Sequence, residues 1–340
     1  MKTLRLLLAV SLTIFVAALF GQSPKPTMKA VVVHEYGGPE VLKYEEVPRP
    51  EPKEDQILVR VIAAGVNPVD AMIRSGMFAK YEKDVLPIIP GADIAGVVEK
   101  VGSKITKFKA GDPMFAYVSL KGGGGYAEYA LGAERDTAAK PKSLSYVEAA
   151  AVPIVALAAW QALIDAARLG AGQTVLIHGG SGGVGSFAIQ IAKACGAKVI
   201  ATASTANQEL LKELGADVAI DYTKQKFEDV AKDVDVVLDS VGRDTLARSY
   251  GVVKKGGVIV SIVARPDEAE LDKHGIRGAF ISVEPTSDEL AEIGKLIDQK
   301  KIKVIVSQTF PLSDAAKAQE QVATGHTRGK VVLKVADEPK

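Results

Sequence analysis

Hydrophobic and polar positions along this 340-residue chain change their period once, near residue 146. Before it, short apolar runs are broken by Gly and Pro: MKAVVVHEYG, VLKYEEVP, QILVRVIAAGVNP, GADIAGVVEKVG, AGDPMFAYV and GGYAEYAL. Runs of that length, bounded by turn residues, predict short β-strands. After residue 146, YVEAAAVPIVALAAWQALIDAARL is apolar and helical, and strand-like and helix-like runs then alternate. QTVLIHG, KVIATA, VAIDY, VDVVLDS, GGVIVSI and AFISV predict strands. VGSFAIQIAKACG, NQELLKELG and RDTLARSYGVV predict the helices between them. Runs rich in Val and Ile set between helices imply a parallel sheet covered on both faces. Six strands in two halves fit a doubly wound dinucleotide fold.

Beyond AFISV, TSDELAEIGKLIDQKK predicts one more helix. Thr286 and Glu289 have capping-box spacing, and Leu290, Ile293 and Ile297 share a face. The closing stretch ends in the β-run GKVVLKV, expected to return to the first domain. The expected organisation is α/β, with a β-rich domain over residues 28–150, a parallel-sheet domain over 151–283, and a returning segment over 284–340.

Residues 1–27 are of another kind. Lys2 and Arg5 precede an apolar run from Leu6 to Phe20, a positive segment followed by a core of secretory length. A membrane span needs about 20 apolar residues. The pattern predicts an export signal, either cleaved or kept as an N-terminal anchor, with the folded body outside the cytoplasm. The linker QSPKPT follows, and Met28 opens a run at which translation could alternatively begin.

Composition narrows the classes. The chain is 47% hydrophobic and 24% charged, with a net charge of +1 and no internal block of Lys and Arg. That argues against a nucleic-acid partner and against an anionic membrane surface. Cys195 is the one cysteine, so no intrachain disulfide can form. His34, His178, His274 and His326 are scattered, without metal-ligand spacing.

The chemistry is concentrated in HGGSGGVGS. Gly180, Gly182 and Gly185 form G-x-G-x-x-G between a predicted strand and a predicted helix, the context the dinucleotide fingerprint requires. The expected roles are a tight turn at Gly180, close backbone approach to a pyrophosphate at Gly182, and helix–strand contact at Gly185. Ser181, Gly183 and Val184 complete a turn whose helix N-terminus offers free N–H groups to an anion. Binders of NAD usually end the second strand on Asp or Glu. Here that strand ends on Ala203 and Ser204. Ser204, Asn207 and Tyr222 could donate to a 2′-phosphate, so the reading is NADP(H), a reading in which Ser204 could equally cap the next helix.

With these residues in view, the body resembles the medium-chain dehydrogenase/reductase superfamily, in its zinc-free quinone oxidoreductase branch. The resemblance rests on GVNPVDAMIRSG, PGADIAGVVEKVG, AGDPMFAYV, GGYAEYA, AAVPIVALAAWQAL, HGGSGGVGS, DSVG, GGVIVSI and HTRGKVVL. It implies a GroES-like catalytic domain beside a Rossmann domain. Metal-dependent relatives carry Gly-His-Glu where this chain has Gly91, Ala92 and Asp93, and a cysteine ligand where it has Asn67. The resemblance therefore implies no metal site.

It also implies further residues. The VNPVD loop is expected beside the nicotinamide, with Asn67 as an orienting donor and Asp70 either supporting the loop or moving a proton. Tyr126 and Tyr81 are candidate donors to a substrate oxyanion, or pocket walls. Arg328 and Lys330 reach the cofactor or the substrate, or form a solvated pair. Ser240, Val241 and Gly242, then Ile262, Val263 and Ala264, then Phe280, Ile281 and Ser282 occupy strand ends that line the nicotinamide half. Two positions depart from the family: Ala158 stands where many relatives have threonine, and no lysine follows Ser204 until Lys212. The implied activity is hydride transfer from NADPH to a quinone or an α,β-unsaturated carbonyl, by a homodimer. A dinucleotide-binding sensor or scaffold without turnover, and a zinc-free reductase of small aldehydes or ketones, are the alternatives.

Overall fold

The structure is a computed structural model that describes residues 26–79, 86–118 and 124–339. The N-terminal apolar run and Tyr81 lie outside the described residues. Two sheets make up the first part. Strands β1 (Thr27–Val33) and β2 (Leu42–Pro48) pair antiparallel. The larger sheet contains β3 (Gln56–Val66), and helix α1 (Pro68–Arg74) leaves that strand directly. Strands β4 (Asp93–Val101), β5 (Pro113–Tyr117), β6 (Tyr129–Ala133) and β7 (Thr137–Ala139) complete the sheet's N-terminal share. The long run QILVRVIAAGV of β3 is buried almost throughout, because β4 and β6 both pair with it and apolar side chains cover both its faces.

Two apolar helices, α2 (Tyr146–Ala150) and α3 (Pro153–Trp160), join the sheets. Ser145 caps α2 through a capping box with Glu148. The helix predicted over this stretch is broken at Val152–Pro153, since proline has no N–H to continue α2. It then loosens into a π-helical turn over Gln161–Ala166. Gln161 marks that turn: its amide donates to the Glu284 carbonyl at 2.7 Å and to Glu289 Oε2 at 2.8 Å.

The second part alternates strand and helix: β8 (Thr174–Ile177), α4 (Gly183–Ala194), β9 (Lys198–Ala203), α5 (Gln208–Glu213), β10 (Val218–Asp221), β11 (Val234–Asp239), α6 (Arg243–Ser249), β12 (Val253–Ser261), α7 (Glu268–His274) and β13 (Arg277–Phe280). All pairings are parallel, in the order β10-β9-β8-β11-β12-β13. Numbered from β8, this is 3-2-1-4-5-6, the doubly wound dinucleotide order. Leu176, Ile177, Val237 and Leu238 are fully buried, each contributing about 2 kcal/mol of apolar burial.

Helix α8 (Ser287–Asp298) follows, with the Thr286 hydroxyl accepting from the Glu289 N–H at 3.2 Å. The return limb of the expected capping box is absent, because the Glu289 carboxylate is engaged by Gln161. Leu290, Ile293 and Ile297 are buried together. The chain then forms β14 (Val306–Pro311), α9 (Ala315–Ala323) and β15 (Lys330–Lys334). Strand β15 pairs antiparallel with β3, so the C-terminal segment lies in the first sheet. Among the described residues, no helix is long and apolar enough to cross a membrane.

Candidate active site

Parallel register brings the carboxyl ends of β8, β9, β11, β12 and β13 to one edge: Ile177 is beside Ala201 and Leu238, and Ser261 is beside Asp239 and Phe280. A cleft of about 680 Å³ opens there. Its floor is the glycine turn. The left-handed residue of the turn is Gly179, at φ +69°, rather than Gly180 as expected. Gly180 is required by packing instead, since an added Cβ would lie 2.8 Å from Leu211 Cδ2 and 3.1 Å from Ala201 Cβ. At Gly185 a Cβ would stand 2.2 Å from the Gly179 carbonyl oxygen, so only glycine lets α4 start this close to β8. Gly182 is the N-cap of α4 and has no side chain to occupy the first N–H groups. Those amides, around Gly183 and Val184, open toward an anion.

The cleft walls gather Ser181, Gly182, Ser204, Asn207, Tyr222, Ser240 and Val241 from the expected set. They also bring residues that sequence reasoning passed over: Lys224, Lys226, Arg248 and His178. Among the described residues, no carboxylate lines this cleft, and its permanently charged side chains are all cationic. Arg248 is neutralised by Glu228 and Asp244 and lies over the Phe227 ring. Lys224 is loosely paired with Asp221 at 3.5 Å and mostly exposed. Hydrogen bonds from Thr205 and Thr223 hold the Asp221 carboxylate at a pKa of about 2, so it stays anionic. His178 is buried. Desolvation lowers it to about 4, so it is a neutral ring bridging Thr202 and Ser249.

Further along the edge, one buried carboxylate organises two expected segments. Asp239 accepts from the N–H groups of Val241 and Gly242 at 3.0 and 2.8 Å, and from the Ser261 hydroxyl at 2.8 Å. Ser261 in turn accepts from Val263 and Ala264. Ile262 N–H donates to the Asp239 carbonyl, and Ile281 N–H to that of Ser261. This mesh sets Ser240–Gly242, Ile262–Ala264 and Phe280–Ser282 side by side; Ser240 and Val241 reach the main cleft, and the other two segments lie beyond its lining. The acid in DSVG was the available signal, since a carboxylate ending an apolar strand must find donors.

Arg328 and Lys330, two residues apart, go to opposite ends. Arg328 donates to Asn207 Oδ1 at 2.9 Å and to the Ala206 carbonyl at 3.0 Å, at the end of the cleft where Ser204 lies. Lys330 is 4% exposed and turns into the first domain. Its ammonium donates to the Val66 carbonyl at 3.0 Å, to Asp93 Oδ2 at 3.3 Å and to Asn67 Oδ1. Asn67 Nδ2 donates to Asp93 Oδ2 at 2.9 Å, and Asp93 Oδ1 accepts from the Ile154 N–H at 2.8 Å, at the start of α3. Asp93 is thus the hub of a buried cluster that the sequence reading left out of the site.

Burial and hydrogen bonding decide among the roles expected for Tyr126, Asp70 and Asn67. Tyr126 is fully buried and its hydroxyl donates to Asp70 Oδ2 at 3.0 Å, so it is not a free oxyanion donor. Asp70 supports the loop: Oδ2 also accepts the Asn67 N–H at 2.8 Å, which closes the first turn of α1. Burial raises Asp70 to about 6, against the lowering effect of those two hydrogen bonds and of Lys330. Burial, first, and the Asp70 charge, second, push Tyr126 well above the ordinary phenol range. Asn67 is 2% exposed with its amide shared between Asp93 and Lys330, which leaves one N–H for a ligand. Lys330, with all three donors spent, is corrected from a cofactor contact to an internal tie.

Comparison with known proteins fits this geometry. Residues 53–142 match the family model of the alcohol dehydrogenase GroES-like domain, and residues 214–333 match that of zinc-binding dehydrogenase. The chain is 41% identical to the chloroplastic NADPH-dependent alkenal/one oxidoreductase of Arabidopsis thaliana over 317 residues, covering 90% of this chain and 79% of that one. The chain belongs to the medium-chain dehydrogenase/reductase superfamily, in its quinone oxidoreductase branch. The quinone oxidoreductase of Coxiella burnetii superposes with a TM-score of 0.85 at 36% identity, over 91% of this chain and 100% of that one. The quinone oxidoreductase of Escherichia coli, solved in complex with NADPH, gives 0.82 at 33% identity, over 90% and 100%.

The second family model is named for zinc, and the donors here do not fit that ion. Asn67 and Asp93 are bonded to each other and to an ammonium. Among the described residues, no three His, Cys, Asp or Glu side chains converge. A zinc cage needs deprotonated ligands around an open centre.

Proposed function

We propose that this protein is an NADPH-dependent oxidoreductase that reduces quinones or α,β-unsaturated carbonyls without a metal ion. The observation that carries the reading is the cleft at the strand ends, whose glycine turn and helix N-terminus offer backbone N–H groups and whose charged walls are cationic. Backbone donors of that kind suit a pyrophosphate. Ser204, Tyr222 and Lys224 line one end of the cleft, which this reading assigns to the adenosine ribose, and Arg328 reaches that end through Asn207. Together they supply donors and positive charge for a 2′-phosphate, in place of the lysine missing after Ser204. The names of the relatives point the same way: an NADPH-dependent alkenal/one oxidoreductase and quinone oxidoreductases.

When bound, the dihydronicotinamide supplies the hydride. The protein's part is to bind, orient and exclude water. Ser240–Gly242 and Ile262–Ala264, held by Asp239 and Ser261, wall the nicotinamide half. The remaining Asn67 N–H is the donor available to an acceptor oxygen that gains negative charge. An acceptor screen on metal-depleted protein tests this, following NADPH absorbance with quinones, enones and saturated aldehydes. Oxidation with the first two classes is expected. Faster turnover of saturated aldehydes, or none at all with bound NADPH, would favour the alternatives.

We also propose export, supported by Lys2, Arg5 and the apolar run Leu6 to Phe20. N-terminal sequencing of protein from fractionated cells distinguishes a cleaved signal from a retained anchor. Homodimerisation, proposed from the family resemblance, is checked by light scattering.

A further inference from the structure

The Lys330 ammonium supports an inference that rests on the oxidoreductase reading and extends it. Lysine has three N–H donors. Here they find three acceptors inside the protein: the Val66 carbonyl, Asn67 Oδ1 and Asp93 Oδ2. Lys330 is 4% exposed, Asn67 2% and Asp93 0%. Charges buried this deeply persist only when paired and hydrogen-bonded. Asp93 balances the ammonium, so the cluster is not a reserve of positive charge for an anionic substrate. No N–H of Lys330 is left to touch the acceptor.

What the cluster provides is geometry. The amide of Asn67 is held at both ends, its oxygen by Lys330 and its nitrogen by Asp93. The same lysine borders the dinucleotide turn: a Cβ built on Gly183 would lie 3.2 Å from Lys330 Cδ. The residue before it, Gly329, donates its N–H to the Ser181 carbonyl at 2.8 Å and forms a bridge to Gly182. Two consecutive residues therefore grip the turn of one domain and the Asn67 loop of the other.

We propose that Lys330 is a positioning residue for hydride transfer, locking Asn67 and the Val66 carbonyl to the glycine turn so that donor and acceptor, held by different domains, meet in register. Misplacement of reacting groups by about 1 Å can cost a hundredfold in rate. Methionine matches the lysine stem without the ammonium, so Lys330→Met is the direct variant. The readouts are the dissociation constant of NADPH, from its fluorescence, and the single-turnover rate of hydride transfer at saturating NADPH and quinone. Expected for Lys330→Met is a rate lower by about a hundredfold with the dissociation constant within about threefold of wild type. A folded, NADPH-saturated variant whose rate stays within threefold of wild type overturns the proposal, and so does a rate loss matched by an equal loss of affinity.

If Lys330→Met does not fold, Lys330→Gln takes its place, since it keeps a polar group in the hub while removing the three-way tie to Val66, Asn67 and Asp93. The same rate loss is expected, and an unchanged rate overturns the proposal. When the folded Lys330 variant is combined with Asn67→Ala, action through Asn67 predicts a rate near that of the slower single variant, whereas multiplied losses contradict it. Wild-type protein that neither binds nor oxidises NADPH would bring down the oxidoreductase reading itself, an outcome visible before any variant is made.

Discussion

At the Ser204 end of the cleft the cations are in water: Lys224 keeps 67% of its side chain exposed, and Arg328 is exposed as well. At the hub between the domains Lys330 keeps 4%, and every group it touches is buried. Both regions use positive charge and side-chain amides, and the solvent around them sets opposite consequences. Exposed pairs are screened and individually weak, so any hold on a ligand at the Ser204 end is a sum of several modest contributions. The hub is dry, so each of its groups depends on the others and removing one strands the rest.

Substitutions that remove one group from each region would sharpen or break that contrast. The largest effect is expected at Asp93. Asp93→Ala leaves the Lys330 ammonium, the Asn67 amide and the Ile154 N–H without their acceptor. A loss of about 3–5 kcal/mol in unfolding free energy is expected, measured by urea denaturation. A loss below 1 kcal/mol would mean that water reaches the hub, and the contrast would fail.

Asp70 comes next, through pH. Its folded-state pKa of about 6 lies above its ordinary value of 3.8. A raised carboxylate favours the folded state at pH below about 4, and that contribution is lost as pH climbs through 6. The shift corresponds to roughly 3 kcal/mol. Asp70→Asn removes the titration. The stability of wild type relative to this variant should therefore fall by about that amount between pH 4 and pH 7.5, followed by thermal or urea unfolding. A flat difference would show that Asp70 is not desolvated.

The smallest effect belongs to the exposed end. Lys224→Met combined with Arg328→Gln should raise the dissociation constant of NADPH about fivefold, near 1 kcal/mol, while leaving that of NADH unchanged. Salt should shrink the effect further, because both side chains are exposed. Equal weakening of both coenzymes would locate these cations at the pyrophosphate instead.

How much could be read in advance differs between the same two regions. The exposed region was partly legible because the glycine turn has a known spacing and Ser204 and Asn207 lie just past the end of the second strand. Lys224 and Lys226 were missed because they follow β10, and only the parallel pairing of β10 with β9 brings them across from Ser204. At the hub, Asn67 was visible in VNPVD. The partners that define its role, Asp93 and Lys330, lie 26 and 263 residues away. For Asp70 the alternatives were loop support or proton transfer, and for Tyr126 oxyanion donor or pocket wall; burial and their mutual hydrogen bond make both supports of the loop.

The order of strands and helices, the doubly wound class and the glycine turn follow from the chain by itself, because hydrophobic period and glycine spacing are local properties. The direction of each side chain was decided by tertiary structure. Arg328 and Lys330 stand two residues apart in one loop-to-strand segment, and one reaches solvent while the other enters the core. Whether a charge is screened, paired or left to act on a ligand depends on what the rest of the fold packs around it, which no local spacing records.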